Sequence, residues 1–190
     1  MEAFLVSLGA VAIAEIGDKT QLLALILAAR FRAPLAVIAG IFVATVANHA
    51  LAAWAGTLVA AWLTPQLLAW VLGLSFLAMG LWALVPDEPP SEDETVSRFG
   101  PFLATVVAFF LVEMGDKTQL ATVALGARYE TLTLVALGTT LGMLAANVPV
   151  VLFGEAAAKR VPAAAMRFAA AALFIVLGLA ALGSAYAYAS

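Results

Sequence analysis

Two stretches of this chain share one pattern: Glu15-Ile16-Gly17-Asp18-Lys19-Thr20-Gln21 and Glu113-Met114-Gly115-Asp116-Lys117-Thr118-Gln119. The two motifs lie 98 positions apart, and each interrupts an apolar run with two carboxylates and a lysine. A charged side chain at the centre of a bilayer costs about 2.5 to 3.5 kcal/mol, so six of them cost on the order of 15 kcal/mol without compensation. The repeated motif therefore predicts a compensating partner, and a cation held between two related half-sites would supply it.

Composition places the chain in a membrane. Of its 190 residues, 65% are hydrophobic and 11% are charged, and the mean hydropathy is +1.07. A soluble protein of this composition would lack a polar surface. The net charge of -3 without a basic stripe argues against a nucleic acid partner, and the absence of cysteine excludes disulfides and thiolate metal sites. The predicted fold class is an all-α integral membrane protein.

Apolar length and helix breakers predict six transmembrane helices. The predicted spans cover residues 3–28, 34–62, 67–85, 100–126, 132–155 and 163–186. A proline-rich acidic segment separates the third span from the fourth and is too polar to pack. The predicted domains are therefore a first three-helix repeat at residues 1–85, an acidic linker at 86–99 and a second three-helix repeat at 100–190.

The offset of 98 positions extends beyond the motifs. It also relates Arg30 to Arg128 and Gly40 to Gly138. A second copy with an odd number of spans enters the membrane in the opposite orientation. We therefore expect two inverted three-helix repeats, with the two motifs facing each other near the membrane midplane.

Orientation follows from the basic residues in the short connections. Most of them fall on one side of the predicted membrane, and only Arg128 falls on the other. The positive-inside rule predicts that the larger set and the acidic linker are cytoplasmic and that both termini are outside. The larger set comprises Arg30, Arg32, Arg98, Lys159, Arg160 and Arg167.

The acidic residues of the motifs are the predicted metal ligands. Glu15 and Asp18 lie three positions apart, as do Glu113 and Asp116, so a continuous helix would present each pair on one face. The glycine between them permits close backbone approach or a local break. Four carboxylates from opposed helices suit a hard divalent cation, which takes about six to eight oxygen ligands.

Other polar side chains would complete this site or lie beside it. A hydrogen bond between helices and a role in handling protons are both compatible with the single histidine of the chain. The candidate further ligands or neighbours of the site are Thr20, Gln21, Thr118, Gln119, Asn48, His49 and Asn147.

The two lysines supply counter-charge to the acids. Lys19 lies one turn after Glu15 and Lys117 one turn after Glu113, so pairing within each motif is expected. The alternative is that each ammonium group occupies the metal site after the metal has left. Four carboxylates and two lysines leave two negative charges, which one divalent ion would neutralise.

The paired motif resembles that of a known membrane family. Two copies of Glu-x-Gly-Asp-(Lys/Arg)-(Thr/Ser), one in each half, are similar to the family of bacterial manganese exporters and Golgi manganese/calcium-proton antiporters, and the resemblance covers essentially the whole chain. It implies export of manganese(II), or transport of calcium, in exchange for protons, without a cofactor or enzymatic activity. The expected partners are the divalent ion, protons and the lipid bilayer, and the expected location is a bacterial inner membrane. A homo-oligomer is compatible with the sequence.

Two other functions are compatible with the motif. An uncoupled divalent cation channel would use the same carboxylates without depending on a proton gradient. An intramembrane aspartyl protease would use Asp18 and Asp116 as two aspartates that share a proton. The additional glutamates and lysines argue against a protease, because its chemistry does not require them.

Overall fold

The computed structural model describes residues 1–86, 100–154, 156 and 162–187. The part of the chain that it describes is all-α and contains no strand, as the sequence predicts. Most of the predicted acidic linker, at residues 87–99, lies outside the described residues. So do Arg98, Lys159 and Arg160, which contribute to the predicted orientation.

The described residues form eight helices. Four of them, α3, α4, α7 and α8, are long and apolar enough to cross a bilayer, and α5 is a shorter apolar helix. In chain order the helices are α1 (Glu2–Glu15), α2 (Lys19–Phe31), α3 (Pro34–Trp62), α4 (Pro65–Ala83), α5 (Pro101–Glu113), α6 (Lys117–Tyr129), α7 (Leu132–Phe153) and α8 (Ala163–Ala187).

Proline marks the beginning of three helices. Pro34, Pro65 and Pro101 are the first residues of α3, α4 and α5. Proline suits this position because its φ angle is preset and its missing N–H would have no partner within the helix. At α4 the preceding Thr64 also accepts a hydrogen bond from the Leu67 N–H at 3.3 Å. The predicted start of the second span at residue 34 is therefore confirmed.

The first and fourth predicted spans are not continuous helices, contrary to the sequence prediction. The first consists of α1 and α2, and the fourth of α5 and α6, with each break inside a motif. Gly17 and Gly115 adopt φ angles of +85° and +77°, which end a helix and are accessible mainly to glycine. Asp18 is extended, with ψ at 166°, before α2 begins. The prediction that the two acids of a motif share one helical face is therefore wrong.

The long helix α7 packs closely against α1. A Cβ atom on Gly138 would lie 2.6 Å from the Phe4 carbonyl oxygen, and one on Gly142 would lie 2.6 Å from that of Leu8. Glycine at both positions permits backbone contact that a side chain would prevent. Because the contact advances along both helices, α1 and α7 run in the same direction.

Helix α3 packs in the same way against the second broken segment. Gly40 lies against Phe102 of α5, and Gly56 lies against Val123 of α6. This contact also advances in the same direction along both segments, so α3 runs parallel to α5 and α6. Each long central helix thus accompanies the motif-bearing segment of the other half of the sequence.

Helices α4 and α8 form a further pair that runs in opposite directions. Gly73 lies against Gly178, whereas Gly80, two turns later, lies against Ala171. The buried rings of Phe76 and Phe174 stack between these contacts, with centroids 6.3 Å apart. The two phenylalanines occupy positions related by the 98-residue offset.

Candidate metal centre

The two breaks bring the acids of both motifs into the interior. Glu15 is the last residue of α1 and Glu113 the last residue of α5, and both are fully buried. Asp18 and Asp116 precede α2 and α6 as their N-caps and are also buried. A carboxylate at an N-cap interacts favourably with the free N–H groups and dipole of the helix that it begins.

Three of the four carboxylates converge. One carboxylate oxygen from each of Glu15, Glu113 and Asp116 lies within 4.8 Å of the others. A hard cation with ligands at about 2.3–2.6 Å holds opposite oxygens up to about 5 Å apart, so one ion fits among these three groups. Asp18 lies outside this group of three.

The two glutamates retain unused binding capacity. Thr20 donates its hydroxyl to Glu15 Oε2 at 2.5 Å, and Thr118 donates to Glu113 Oε2 at 3.1 Å. The other oxygen of each glutamate, Oε1, is buried without a hydrogen-bond partner in the described part of the chain. A buried carboxylate oxygen left unpaired is costly, so these atoms are suited to bind a cation or a proton.

The lysines form ion pairs across the site. Lys19 Nζ lies 2.7 Å from Asp116 Oδ1, and Lys117 Nζ lies 2.9 Å from Asp18 Oδ1. The predicted pairing of Lys19 with Glu15 in its own motif is wrong, and Lys117 likewise reaches the aspartate of the other motif. The break between the glutamate and the lysine removes the helical turn on which local pairing depends.

The motif glutamines stabilise the breaks. Gly17 donates its N–H to Gln21 Oε1 at 2.9 Å, and Gly115 donates its N–H to Gln119 Oε1 at 2.7 Å. Each break leaves backbone donors without helical partners, and the glutamine side chain supplies an acceptor for one of them. The glutamine oxygens therefore serve the backbone of the break in this arrangement.

The carboxamide nitrogens of these glutamines reach the long helices. Gln21 Nε2 donates to the Ala146 carbonyl of α7 at 2.8 Å, and Gln119 Nε2 donates to Asn48 Oδ1 of α3 at 3.2 Å. Asn48 in turn donates to the Phe110 carbonyl of α5 at 3.1 Å. These bonds attach each break to a central helix, a role that the sequence motif alone does not reveal.

His49 and Asn147 are both buried in the long helices. Asn147 Nδ2 donates to the carbonyl and sulfur atoms of Met143, at 3.1 and 3.0 Å. The fully buried ring of His49 lies beside the backbone of Thr139 in α7. Within the described ranges, His49 is not part of the three-residue carboxylate group.

The two breaks differ in their surroundings. A Cβ atom on Gly17 would lie 2.7 Å from Ala163 at the start of α8, whereas one on Gly115 would have no neighbour within 4 Å. The side chain of Lys19 is 23% exposed, compared with 3% for Lys117. Both glycines are exposed, and the difference between the breaks is that α8 lies against the first at Ala163, whereas no described element lies against the second at Gly115.

A family comparison places this chain among transporters. The family model described as "Divalent cation/proton antiporter GDT1" matches residues 3–91 and again residues 101–189. The chain belongs to the GDT1 family. The two GDT1 matches begin and end 98 positions apart, the same offset that separates the motifs. GDT1 is a transporter family, and both aspartates of the proposed protease pair are bound to lysines, so the protease interpretation is wrong.

Individual GDT1 relatives agree with the resemblance read from the motif. A Vibrio cholerae serotype O1 protein named "Putative manganese exporter" is 54% identical over 181 residues, covering 95% of this chain and 90% of the relative. The Arabidopsis thaliana "GDT1-like protein 5" is 29% identical over 220 residues, covering 96% of each. No solved structure matches the chain. The chain is thus an integral membrane protein of a divalent cation transporter family.

Proposed function

We propose that this protein exports manganese(II), or alternatively calcium, in exchange for protons by alternating access around the buried carboxylates. The observation that carries the proposal is the convergence of Glu15, Glu113 and Asp116 from two separate helix breaks, within 4.8 Å of one another. The unpartnered oxygens of both glutamates provide ligand positions. The printed name of the Vibrio cholerae relative supports manganese as the cargo.

The charge balance of the site favours the exchange of one divalent ion for two protons. Asp18 and Asp116 each have a lysine as ion-pair partner. Glu15 and Glu113 then carry the two charges that the lysines do not neutralise. One divalent ion or two protons can compensate them, so both loaded forms of the site would carry the same charge.

The packing supports two inverted three-helix repeats, at residues 1–85 and 100–190, joined by the segment 86–99. The 98-residue offset converts the pair Lys19–Asp116 into the pair Lys117–Asp18. It also exchanges Phe76 with Phe174, which stack on each other. Contacts of this reciprocal kind are expected around a two-fold axis, and an axis in the membrane plane relates repeats of opposite orientation.

The unequal surroundings of the two breaks support alternating access. In the described arrangement α8 lies against Gly17 at Ala163, and no atom lies within 4 Å of the Cβ position of Gly115. Exchange of the roles of the two repeats would bring the start of α4 against Gly115 and separate α8 from Gly17. In that second state Asp18 would replace Asp116 beside the glutamates, so all four acids act as ligands over one cycle.

The proposed setting is a bacterial inner membrane, with both termini outside and the segment 86–99 in the cytoplasm. This orientation rests on the distribution of basic residues in the connections. Export then means that the ion enters from the side of the acidic segment and leaves on the side of the termini.

Manganese-driven proton movement in proteoliposomes tests the proposal. Glu15→Gln and Glu113→Gln each remove a charged ligand, and we expect them to lower the transport rate by at least about 10-fold, the scale typical of lost metal-site groups. Glu2→Gln is the matched control, because Glu2 is an exposed carboxylate that bonds to Tyr129 far from the site. Unchanged transport by both site variants would reject the ligand assignment. Manganese flux without proton movement would indicate the channel instead.

A further inference from the structure

We propose that this protein binds one phospholipid with an ethanolamine headgroup in a groove between α4 and α6. The groove is separate from the carboxylate cluster. The proposal depends only on the membrane location of the chain, so it stands or falls independently of the transported ion.

The groove is long and apolar. A cavity of about 300 Å³ lies among α3, α4 and α6, and its lining extends along α4 from Leu68 to Trp82. At a rise of about 1.5 Å per residue, this stretch of α4 is about 20 Å long. The α6 side of the lining begins at Leu120, directly after the second motif. A cavity of this shape and polarity fits a hydrocarbon chain lying parallel to the helices.

A polar pocket adjoins the groove at Leu68 and Leu72. A second cavity of about 200 Å³ is also lined by Leu68 and Leu72, so the two spaces share a wall. Arg128 and Glu130 line this pocket at the end of α6, beside Pro65 at the start of α4. Because these helices end at the same face of the molecule, the polar pocket lies where a bilayer presents its headgroups. Its occupant therefore has a polar head and a long apolar tail.

The charges in the pocket select the headgroup. Arg128 and Glu130 are both exposed, and neither forms an ion pair with another described residue. Arginine binds phosphate through paired hydrogen bonds, and a carboxylate accepts hydrogen bonds from a primary ammonium group. An ethanolamine phospholipid carries both groups. A glycerol headgroup lacks the cation, and the quaternary ammonium of choline has no N–H to donate.

The first half of the chain provides a matched control. The 98-residue offset relates Arg128 to Arg30 and Glu130 to Arg32, so the corresponding end of α2 carries two positive charges. The mixed pair of charges exists only in the second half. Arg30→Gln therefore removes an equivalent arginine without altering the groove.

Native mass spectrometry of the purified protein tests the headgroup preference. The protein is equilibrated with an equimolar mixture of phosphatidylethanolamine, phosphatidylcholine and phosphatidylglycerol that have identical acyl chains. We expect one retained lipid per chain, with ethanolamine preferred by about 10-fold, the effect of one hydrogen bond to a charged group. Glu130→Gln removes the negative charge that strengthens this hydrogen bond and should reduce the preference for ethanolamine over choline. Arg128→Gln should lower retention of all three lipids, and Arg30→Gln should leave the pattern unchanged.

A second pair of variants tests the groove itself. Ala78 lines the cavity on α4 and Leu74, one turn earlier, faces outward without lining it. Ala78→Trp fills the groove and should reduce lipid retention, whereas Leu74→Trp should not. Circular dichroism and elution volume establish that each variant is folded. Equal retention of the three lipids by the unmodified protein, or retention insensitive to Arg128→Gln, Glu130→Gln and Ala78→Trp, would overturn the proposal.

Discussion

At the scale of single residues, the crossed ion pairs connect the two halves of the protein. Each lysine neutralises the aspartate of the opposite motif rather than the glutamate of its own. The pairs therefore hold the two helix breaks together and leave the glutamates available to a cation or to protons. Because both aspartates are buried, removal of a lysine would leave a carboxylate in the interior without its counter-ion.

We expect Lys117→Met to destabilise the protein by about 3 to 5 kcal/mol, the usual cost of breaking a buried ion pair. Lys19→Met should cost less, because the side chain of Lys19 is 23% exposed and water reaches that pair. The measurement is a double-mutant cycle on thermal unfolding in detergent. The coupling between Lys117 and Asp18 should exceed that between Lys117 and Glu113. A larger coupling energy between Lys117 and Glu113 would show that Lys117 pairs within its own motif and would contradict the crossed ion pairs.

At the scale of the helices, the breaks position the acids. The positive φ angles of Gly17 and Gly115 end α1 and α5 in the interior. The third residue of the next helix, Gln21 or Gln119, accepts a hydrogen bond from the N–H of that glycine. If the helix were continuous at either motif, the acids of that motif would not reach the group of carboxylates. The glycines are thus required by backbone conformation, and one of them is also required by packing.

Gly17→Ala and Gly115→Ala separate these two requirements. Each alanine must adopt a left-handed backbone conformation, at a cost of about 1 to 2 kcal/mol. At position 17 the added methyl group would also lie 2.7 Å from Ala163, whereas at position 115 it meets no atom within 4 Å. Gly17→Ala should therefore lower the melting temperature more than Gly115→Ala. Equal losses would show that Ala163 does not press on the first break in solution.

The sequence specifies the helices more completely than the site. Proline and polar turns set the start of α3 at residue 34, as predicted, because these residues act locally. The apolar runs continue on both sides of each motif, so a prediction from their length did not find the breaks at Gly17 and Gly115. The free-energy cost of charged side chains in a membrane was enough to predict the acids as ligands. The ion pairs between a lysine of one motif and an aspartate of the other depend on contacts between distant segments, which the sequence does not show. The glycine beside the charged residues was the one local signal of a break.

At the scale of the whole molecule, the two halves contribute carboxylates to one group. The offset of 98 positions appears in the motifs, the ion pairs and the two family matches. With the aspartates paired to lysines, the site should hold either one divalent ion or two protons. A transporter that alternates between these loads moves no net charge.

Counter-flow of two protons per manganese ion is therefore the expected stoichiometry. It can be measured in proteoliposomes with a pH-sensitive dye and a manganese indicator, while a potassium gradient with valinomycin sets the membrane voltage. Transport should be insensitive to that voltage, and a more acidic release side should accelerate it. A ratio of one proton per ion, with a voltage-dependent rate, would show that only one of the two glutamates exchanges a proton and would contradict this charge balance.

The most direct test of a shared site is the number of manganese ions that the purified protein binds. Equilibrium dialysis should give one ion per chain, because Glu15 and Glu113 contribute to the same group of carboxylates. Glu15→Gln and Glu113→Gln should each abolish this binding, and Glu2→Gln should retain it. Two ions per chain, with each site variant losing only one of them, would mean that the motifs bind metal separately and would contradict the shared site.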